Sequence, residues 1–511
     1  MGVTGTTERA ATAPTDQFLL GVSRPPLGVG DLPAPEEVFG VGRLGFKETV
    51  KFAIGPSLIA LGVSIGSGEW VLGPLAVGAA GQFEGLFFVV LLSLLFQVVF
   101  NVESARYVVA TGETPVLGFA RVPPGWKFWA PASILLFYFA FILGGWAAGA
   151  GQSLLTIFEG EVVESTDERA RLLAIGLLVV IFSITALSKK ISRGLELSNW
   201  VIVSFVIGTL IVLNLFLVDF SLWGDALAGF FTPALPPEGT DVTLLGALWG
   251  FTAMAAGLNW FIMTHYRDKG YGMGHRVGFL SGIRGTQQDV LDVGVTFRDD
   301  EKNAALWKRW MKYLRIDMWG VFALGAFFGM LLPSMLVLQL ATDTGNAPTE
   351  ENIITFAASA LETQYGSFLF YVALIVGFFI LFSTQLGIFE ALVRNAVDAA
   401  HGVSSKLRRT AEGGGDVRRI YYPYMIFLMI VIAITIHLSY PENLLATSAN
   451  MSNLGGVIFP WLLIYLNRRL PRTARPAPVI YVILILFSVM SAFFFANFVA
   501  DTFLDEPLYT F

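Results

Sequence analysis

The sequence predicts an all-α polytopic membrane protein, and three observations carry that expectation. Hydrophobic residues fill 55% of the 511 positions and charged residues only 14%, and the mean hydropathy of +0.65 is far above that of soluble chains. Several uninterrupted apolar stretches reach the roughly 20 residues that a helix needs to cross a bilayer core. The alternation over about 10 residues that marks membrane barrel strands is missing, so the spanning elements are helices.

Taken in order, residues 1–42 are rich in Pro, Gly and Thr without the apolar core of a signal peptide, and read as a solvated cytoplasmic tail. "MGVTGT" fits a loose myristoylation pattern, but a polytopic chain needs no lipid anchor. Eleven spans are expected near 48–76, 84–110, 128–157, 170–189, 196–219, 242–266, 314–340, 366–392, 420–438, 444–466 and 477–503. Cytoplasmic loops keep Lys and Arg. With the N-terminus inside, "KKISR" (189–193), "KRWMKYLR" (308–315), "KLRR" (406–409), "RR" (418–419) and "RRLPRTAR" (468–475) all fall on that side. Of 33 basic residues only Arg169 and Arg171 then lie outside, together with the acidic loops at 159–168 and 348–354 and the C-terminal tail.

The net charge of −6 sums two opposed faces and points to no nucleic-acid partner. The chain has no cysteine, which excludes disulfides, thiolate metal sites and thiol catalysis. Its four histidines are scattered and no Ser–His spacing or paired acids appear, so no enzyme and no cofactor are expected.

Two spans are interrupted in corresponding places, the first at Gly66, Ser67 and Gly68 and the sixth at "MAAGLN", 254–259. Five spans separate the breaks. An odd number inverts the second copy, so a 5+5 inverted repeat is expected, with units at 43–220 and 221–467 and a final segment at 468–511 holding the eleventh helix. Unwound backbone at bilayer depth is tolerated only where it lines a protein cavity or binds something. Glycines also serve close helix packing, which is the preferred reading of Gly73 and Gly78. Beside the first break stands Glu69, an ionisable group whose placement at mid-depth costs about 2.5–3.5 kcal/mol even on lenient scales. Packing does not repay such a cost, so Glu69 is the leading site residue, with a structural ion pair or a protonated acid as the alternative.

Other polar groups at depth have simpler readings. Glu103 and Arg106 are spaced i,i+3, and Glu390 and Arg394 i,i+4, as expected of structural or gate ion pairs. "STQ" (383–385) and "SANMSN" (448–453) offer neutral oxygens, equally suited to interhelical hydrogen bonds and to ligation. His265 and His437 sit near helix ends and read as interfacial. The Gly-rich stretch 270–290 reads as a tether.

The stretch 54–121 resembles the first two helices of the Nramp family of divalent-metal transporters, in its Gly-Pro opening, its broken helix followed by Trp, and "ARYVVATGE" closing the second helix. "NMSNLGGVIFPWLLIYL" (450–466) is similar to the family's tenth helix. The resemblance implies eleven helices on a LeuT-like inverted repeat and a small cation as substrate. The family's Asp-Pro-Gly-Asn corresponds to Gly66, Ser67, Gly68 and Glu69, so its aspartate ligand is replaced and a carboxylate stands at the asparagine position. Its Met-Pro-His falls on Ala256, Gly257 and Leu258 if Asn259 anchors the register, whereas a two-residue shift keeps Met254 as the thioether ligand. Helix 3 has no Asp, Glu, His, Lys or Arg between 128 and 158, so the family's usual proton relay is lacking.

Carboxylate, hydroxyl, amide and carbonyl oxygens suit hard cations such as Mg²⁺, Ca²⁺ or Mn²⁺, or Na⁺. The expected site is Glu69 with carbonyls around Gly66, Ala255 and Ala256, the Ser67 hydroxyl, Asn259 and Asn453, while Gly68 and Gly257 act as hinges. An amino acid or organic cation held through its amine, and a relative that no longer transports, are the alternatives.

Overall fold

The computed structural model describes residues 55–66, 68–187, 191–254, 257–277, 294, 296–403 and 418–511. Among them every regular element is helical. The first span is broken, as expected: α1 (Gly55–Ser64) ends before Ile65 and Gly66, and the chain resumes as a π-helical turn, Gly68–Leu72, that runs into α2 (Gly73–Ala80). Gly73 and Gly78 are packing glycines. A methyl group at Gly78 would press on the Pro348 ring at 2.5 Å, and one at Gly73 would approach Ser334 Oγ at 3.1 Å and collide with the Met330 sulfur.

The unbroken α3 (Leu86–Thr111) follows, then the short α4 (Pro115–Phe119). The third span departs from the expectation of a plain helix, because α5 (Trp126–Phe141) and α6 (Gly145–Glu159) are separated at 142–144. The sequence hid this break among small residues. Gly145 lies so close to α18 (Pro441–Asn467) that an added methyl would stand 2.8 Å from the Pro441 carbonyl oxygen. The freed backbone is satisfied by Thr435, whose Oγ1 accepts from the Gly144 amide at 3.0 Å and lies 3.1 Å from the Ile142 carbonyl as donor. Gln385 Oε1 accepts from the Ala147 amide at 3.2 Å.

Next come α7 (Glu168–Leu187), α8 (Ile191–Leu217) and α9 (Phe220–Phe231). The sixth span is broken too. Its halves α10 (Val242–Phe251) and α11 (Asn259–Asp268) flank an irregular stretch at 252–258, followed by the short α12 (Gly274–Val277). The seventh is longer than expected. The basic run 308–315 is part of a helix, α13 (Glu301–Arg315), which passes through a π-helical segment, Ile316–Ala323, into α14 (Leu324–Thr344). Then follow α15 (Ile353–Tyr365), α16 (Ser367–Val403), α17 (Arg418–Thr435), α18, and α19 (Pro478–Leu504).

Among the described residues, eight helical stretches are long and apolar enough to cross a membrane. The three other expected spans fall on the broken pairs α1/α2 and α10/α11 and on the shorter apolar α17. The breaks are set side by side: α10 packs on the π turn of the first span, and α11 packs on α1. Around them α8, α16 and the Ile316–Ala323 segment enclose α1, while α18 bridges α10, α5 and α19.

Candidate functional site: a buried carboxylate between two broken helices

Glu69 occupies the second position of the π turn and is 1% exposed. Its Oε2 accepts from the Gly66 amide at 3.1 Å, so the break bends back over its own acid. Its Oε1 is buried without a hydrogen-bond partner. The Ser64 side chain and the Ala253 backbone face the carboxylate, the latter from the irregular stretch of the sixth span. No Lys or Arg pairs with it among the described residues, and it points into the bundle rather than at lipid. α14 lies close alongside, where a methyl added at Gly329 would stand 3.5 Å from Glu69 Cγ.

The two breaks touch at Gly68. A methyl there would lie 2.8 Å from the Phe251 carbonyl oxygen, so only glycine admits this approach of backbone to backbone. Across the contact the chain takes left-handed φ angles at Ala253 (55°), Met254 (84°) and Gly257 (112°). Two successive non-glycine residues in that region store strain, of the order of 1–3 kcal/mol each, in the stretch that faces the acid. Met254 is buried there, whereas Ser67, Ala255 and Ala256 lie outside the described residues. Thr384 Oγ1, which donates to the Ile380 carbonyl at 2.9 Å, lies 3.5 Å from the Ile65 carbonyl freed by the first break. Of the "STQ" run, then, Thr384 reaches the first break and Gln385 the third.

Asn259 and Asn453, expected at the site, both hold protein partners. Asn259 accepts from the Gly257 amide at 3.0 Å, which ties the end of the irregular stretch, and donates to Asn101 and, at 3.4 Å, to Gln97 Oε1, both on α3. Asn453 donates to the Gly246 carbonyl at 2.9 Å, and Asn450 to Thr243 at 3.0 Å, so this face of α18 rides along α10. An aromatic group stands beside the breaks, with Phe251 5.8 Å from Phe141 and 5.6 Å from Trp146 between ring centroids.

The expected ion pairs form, within larger networks. Arg106 donates to Glu103 through Nε at 2.7 Å and Nη2 at 3.0 Å, and through Nη1 to the Ala474 carbonyl at 2.9 Å, while Asn467 donates to the Glu103 carbonyl at 3.0 Å. Arg394 lies 3.4 Å from Glu390 and closer, at 2.6 Å, to Asp268 of α11, which sequence spacing could not reveal. A further buried acid, Glu113, was not singled out from sequence; it takes Arg121, the Tyr107 hydroxyl at 2.8 Å and the Gly294 amide at 2.8 Å.

Helices this long and apolar define a multi-pass membrane protein, with one buried acid where two broken spans meet. The architecture is that of a solved transporter: a histidine-to-alanine variant of the Eremococcus coleocola manganese transporter matches with a TM-score of 0.58 at 14% identity, over 94% of this chain and 92% of that one. The same transporter in complex with an aromatic bis-isothiourea substituted compound gives 0.57 at 13% identity, and a glutamate-to-glutamine variant 0.57 at 15%, over the same shares. At such identities the likeness is one of fold, and it agrees with the resemblance read from helices 1, 2 and 10. No protein-family model and no curated sequence match the chain.

Proposed function

We propose that this protein transports a cation across the membrane, a divalent metal of the Mg²⁺ or Mn²⁺ type, held midway between two gates at the breaks of the first and sixth spans. The observation that carries this reading is Glu69: buried, paired with no Lys or Arg among the described residues, and left with one oxygen without a hydrogen bond beside unwound backbone. The guest neutralises what the fold leaves uncompensated. Among the described residues no three His, Cys, Asp or Glu side chains cluster, so the donor set is one carboxylate with carbonyl and hydroxyl oxygens, and the ion keeps part of its water. Units 43–220 and 221–467 act as inverted repeats, and rocking of the bundle that contains the broken spans exposes the ion to each side in turn. Helix 3 supplies no acid for a proton relay, and an inside-negative potential favours divalent entry by about 4.6 kcal/mol per 100 mV without one.

A second reading has its own support. The aromatic group of Phe141, Trp146 and Phe251 stands where the two breaks meet at Gly68, one residue from Glu69, and a carboxylate with ring faces suits an organic ammonium. Uptake into proteoliposomes separates the two. Entry of Mg²⁺ or Mn²⁺ that disappears in Glu69→Gln supports the metal reading. Failure of Mg²⁺, Mn²⁺ and Ca²⁺ to enter, with entry of an amino acid or organic amine, replaces it.

A further inference from the structure

A second acid lies buried at depth, and the site above does not use it. Asp317 is 0% exposed and sits in the π-helical segment Ile316–Ala323, a geometry that recurs at functional positions because it throws one turn out of register. The Tyr266 hydroxyl of α11 donates to its Oδ2, and its Oδ1 has no hydrogen-bond partner. Facing it is Ser57, with both its hydroxyl and its backbone amide. Ser57 is the third residue of α1, so its N–H belongs to the first turn, which has no acceptor of its own and carries the positive end of the helix dipole. Lys269, at the C-terminal cap of α11, adds a positive charge nearby. Tyr271 packs edge-on against Tyr266 at 4.7 Å, and Arg315 on the preceding turn is exposed.

We propose that Asp317, Ser57 and Tyr266 form a second ionisable site whose ligand is a proton, and that it governs opening at the end of the bundle where α1 meets α11. Tyr266 donates to the acid, and Ser57 and Lys269 stand near it from two other directions. Ionised, Asp317 accepts from Tyr266 and attracts the N-terminal turn of α1 and Lys269, which holds α1 against α11 and the seventh span. Protonated, it loses the charge and one acceptor site, and the hold on α1 weakens. Acidification therefore favours the state in which α1 swings away. The inference rests on the proposed movement of the first span, but not on which ion is carried or on Glu69.

The chain has no cysteine, which gives a clean background for thiol labelling. Leu61, on α1, is 4% exposed and lies against Gly325. In nanodisc-embedded protein carrying Leu61→Cys, maleimide labelling is timed relative to a reference thiol at the exposed position Glu351→Cys, which cancels the pH dependence of the thiol itself. The expected result is labelling about fivefold faster or more at about pH 6 than at about pH 8, and in Asp317→Asn fast labelling that no longer depends on pH. Tyr266→Phe, which keeps the acid but removes a donor, is expected to label faster than the parent at both pH values. A parent rate that ignores pH, an acid acceleration that survives in Asp317→Asn, or, should that variant not express, an unchanged rate in Tyr266→Phe overturns the proposal. No transported ion enters this measurement, so its failure leaves the Glu69 reading standing.

Discussion

Glu69 and Asp317 are both buried acids with one oxygen unused, yet their surroundings differ in sign. Asp317 is met by the Tyr266 and Ser57 hydroxyls, a helix N-terminus and a nearby lysine; Glu69 is met by the Ser64 side chain and unwound backbone, with no cationic side chain among the described residues. On the proposed function, that difference is why a cationic guest is assigned to Glu69 and a proton to Asp317. Glu69→Gln keeps the shape and removes the charge, and uptake is expected to fall to background while expression and thermal stability stay near those of the parent. Unchanged uptake would make Glu69 structural. Gly68→Ala is expected to lower stability by about 1–3 kcal/mol, since its methyl meets backbone that has no other rotamer to adopt, and a thermal melt in detergent would register the loss. Glu69 was legible in the sequence because charge is rare at depth. For Asn259 and Asn453 the sequence left the partners open, because a neutral amide fits a ligand and a packing bond equally well, and only coordinates show the bonds to Asn101 and to the Gly246 carbonyl.

At the scale of elements, the broken first and sixth helices could be read from glycine placed beside polar residues inside apolar runs. The third break could not. Its residues 142–144 lie in a run of small and apolar side chains, and its acceptors, Thr435 and Gln385, are far along the chain. Thr435→Val preserves volume and leaves the Gly144 amide unsatisfied, which should cost about 1–3 kcal/mol in stability. An unchanged melting temperature would mean that the break is held by glycine packing alone. The loop before α13 is tied down by Asp299, which accepts from the Arg472 amide at 2.7 Å and the Thr473 amide at 3.0 Å. Burial pushes the Asp299 carboxyl up, but those donors outweigh it and hold it below its ordinary value of 3.8. Its folded-state value being depressed, this tether is fully present above the ordinary aspartate range and is lost only as pH falls through the lowered value. Proteolysis of that loop should therefore be indifferent to pH near neutrality in the parent, and faster in Asp299→Ala.

Across the whole molecule, hydropathy was sufficient for the fold class, and local spacing for the pairs Glu103–Arg106 and Glu390–Arg394. The partners that join those pairs to the rest, Ala474, Asn467 and Asp268, come from distant segments that no spacing connects. The networks gather at the end of the bundle where α3, α11 and α16 finish, the same end as the Asp317 site, and close it with buried charge. Arg106→Met would strand Glu103 in that interior and is expected to destabilise by about 3–5 kcal/mol. A smaller loss would place the pair in water and argue for an open rather than closed end.

The central claim is that the unused oxygen of Glu69 is completed by a positively charged guest, and equilibrium binding tests it without the complications of gating. Titration calorimetry of the purified protein with Mn²⁺ and with Mg²⁺ should give saturable heats that vanish in Glu69→Gln, while Asp317→Asn still binds. Equal heats in the parent and in Glu69→Gln would contradict the account.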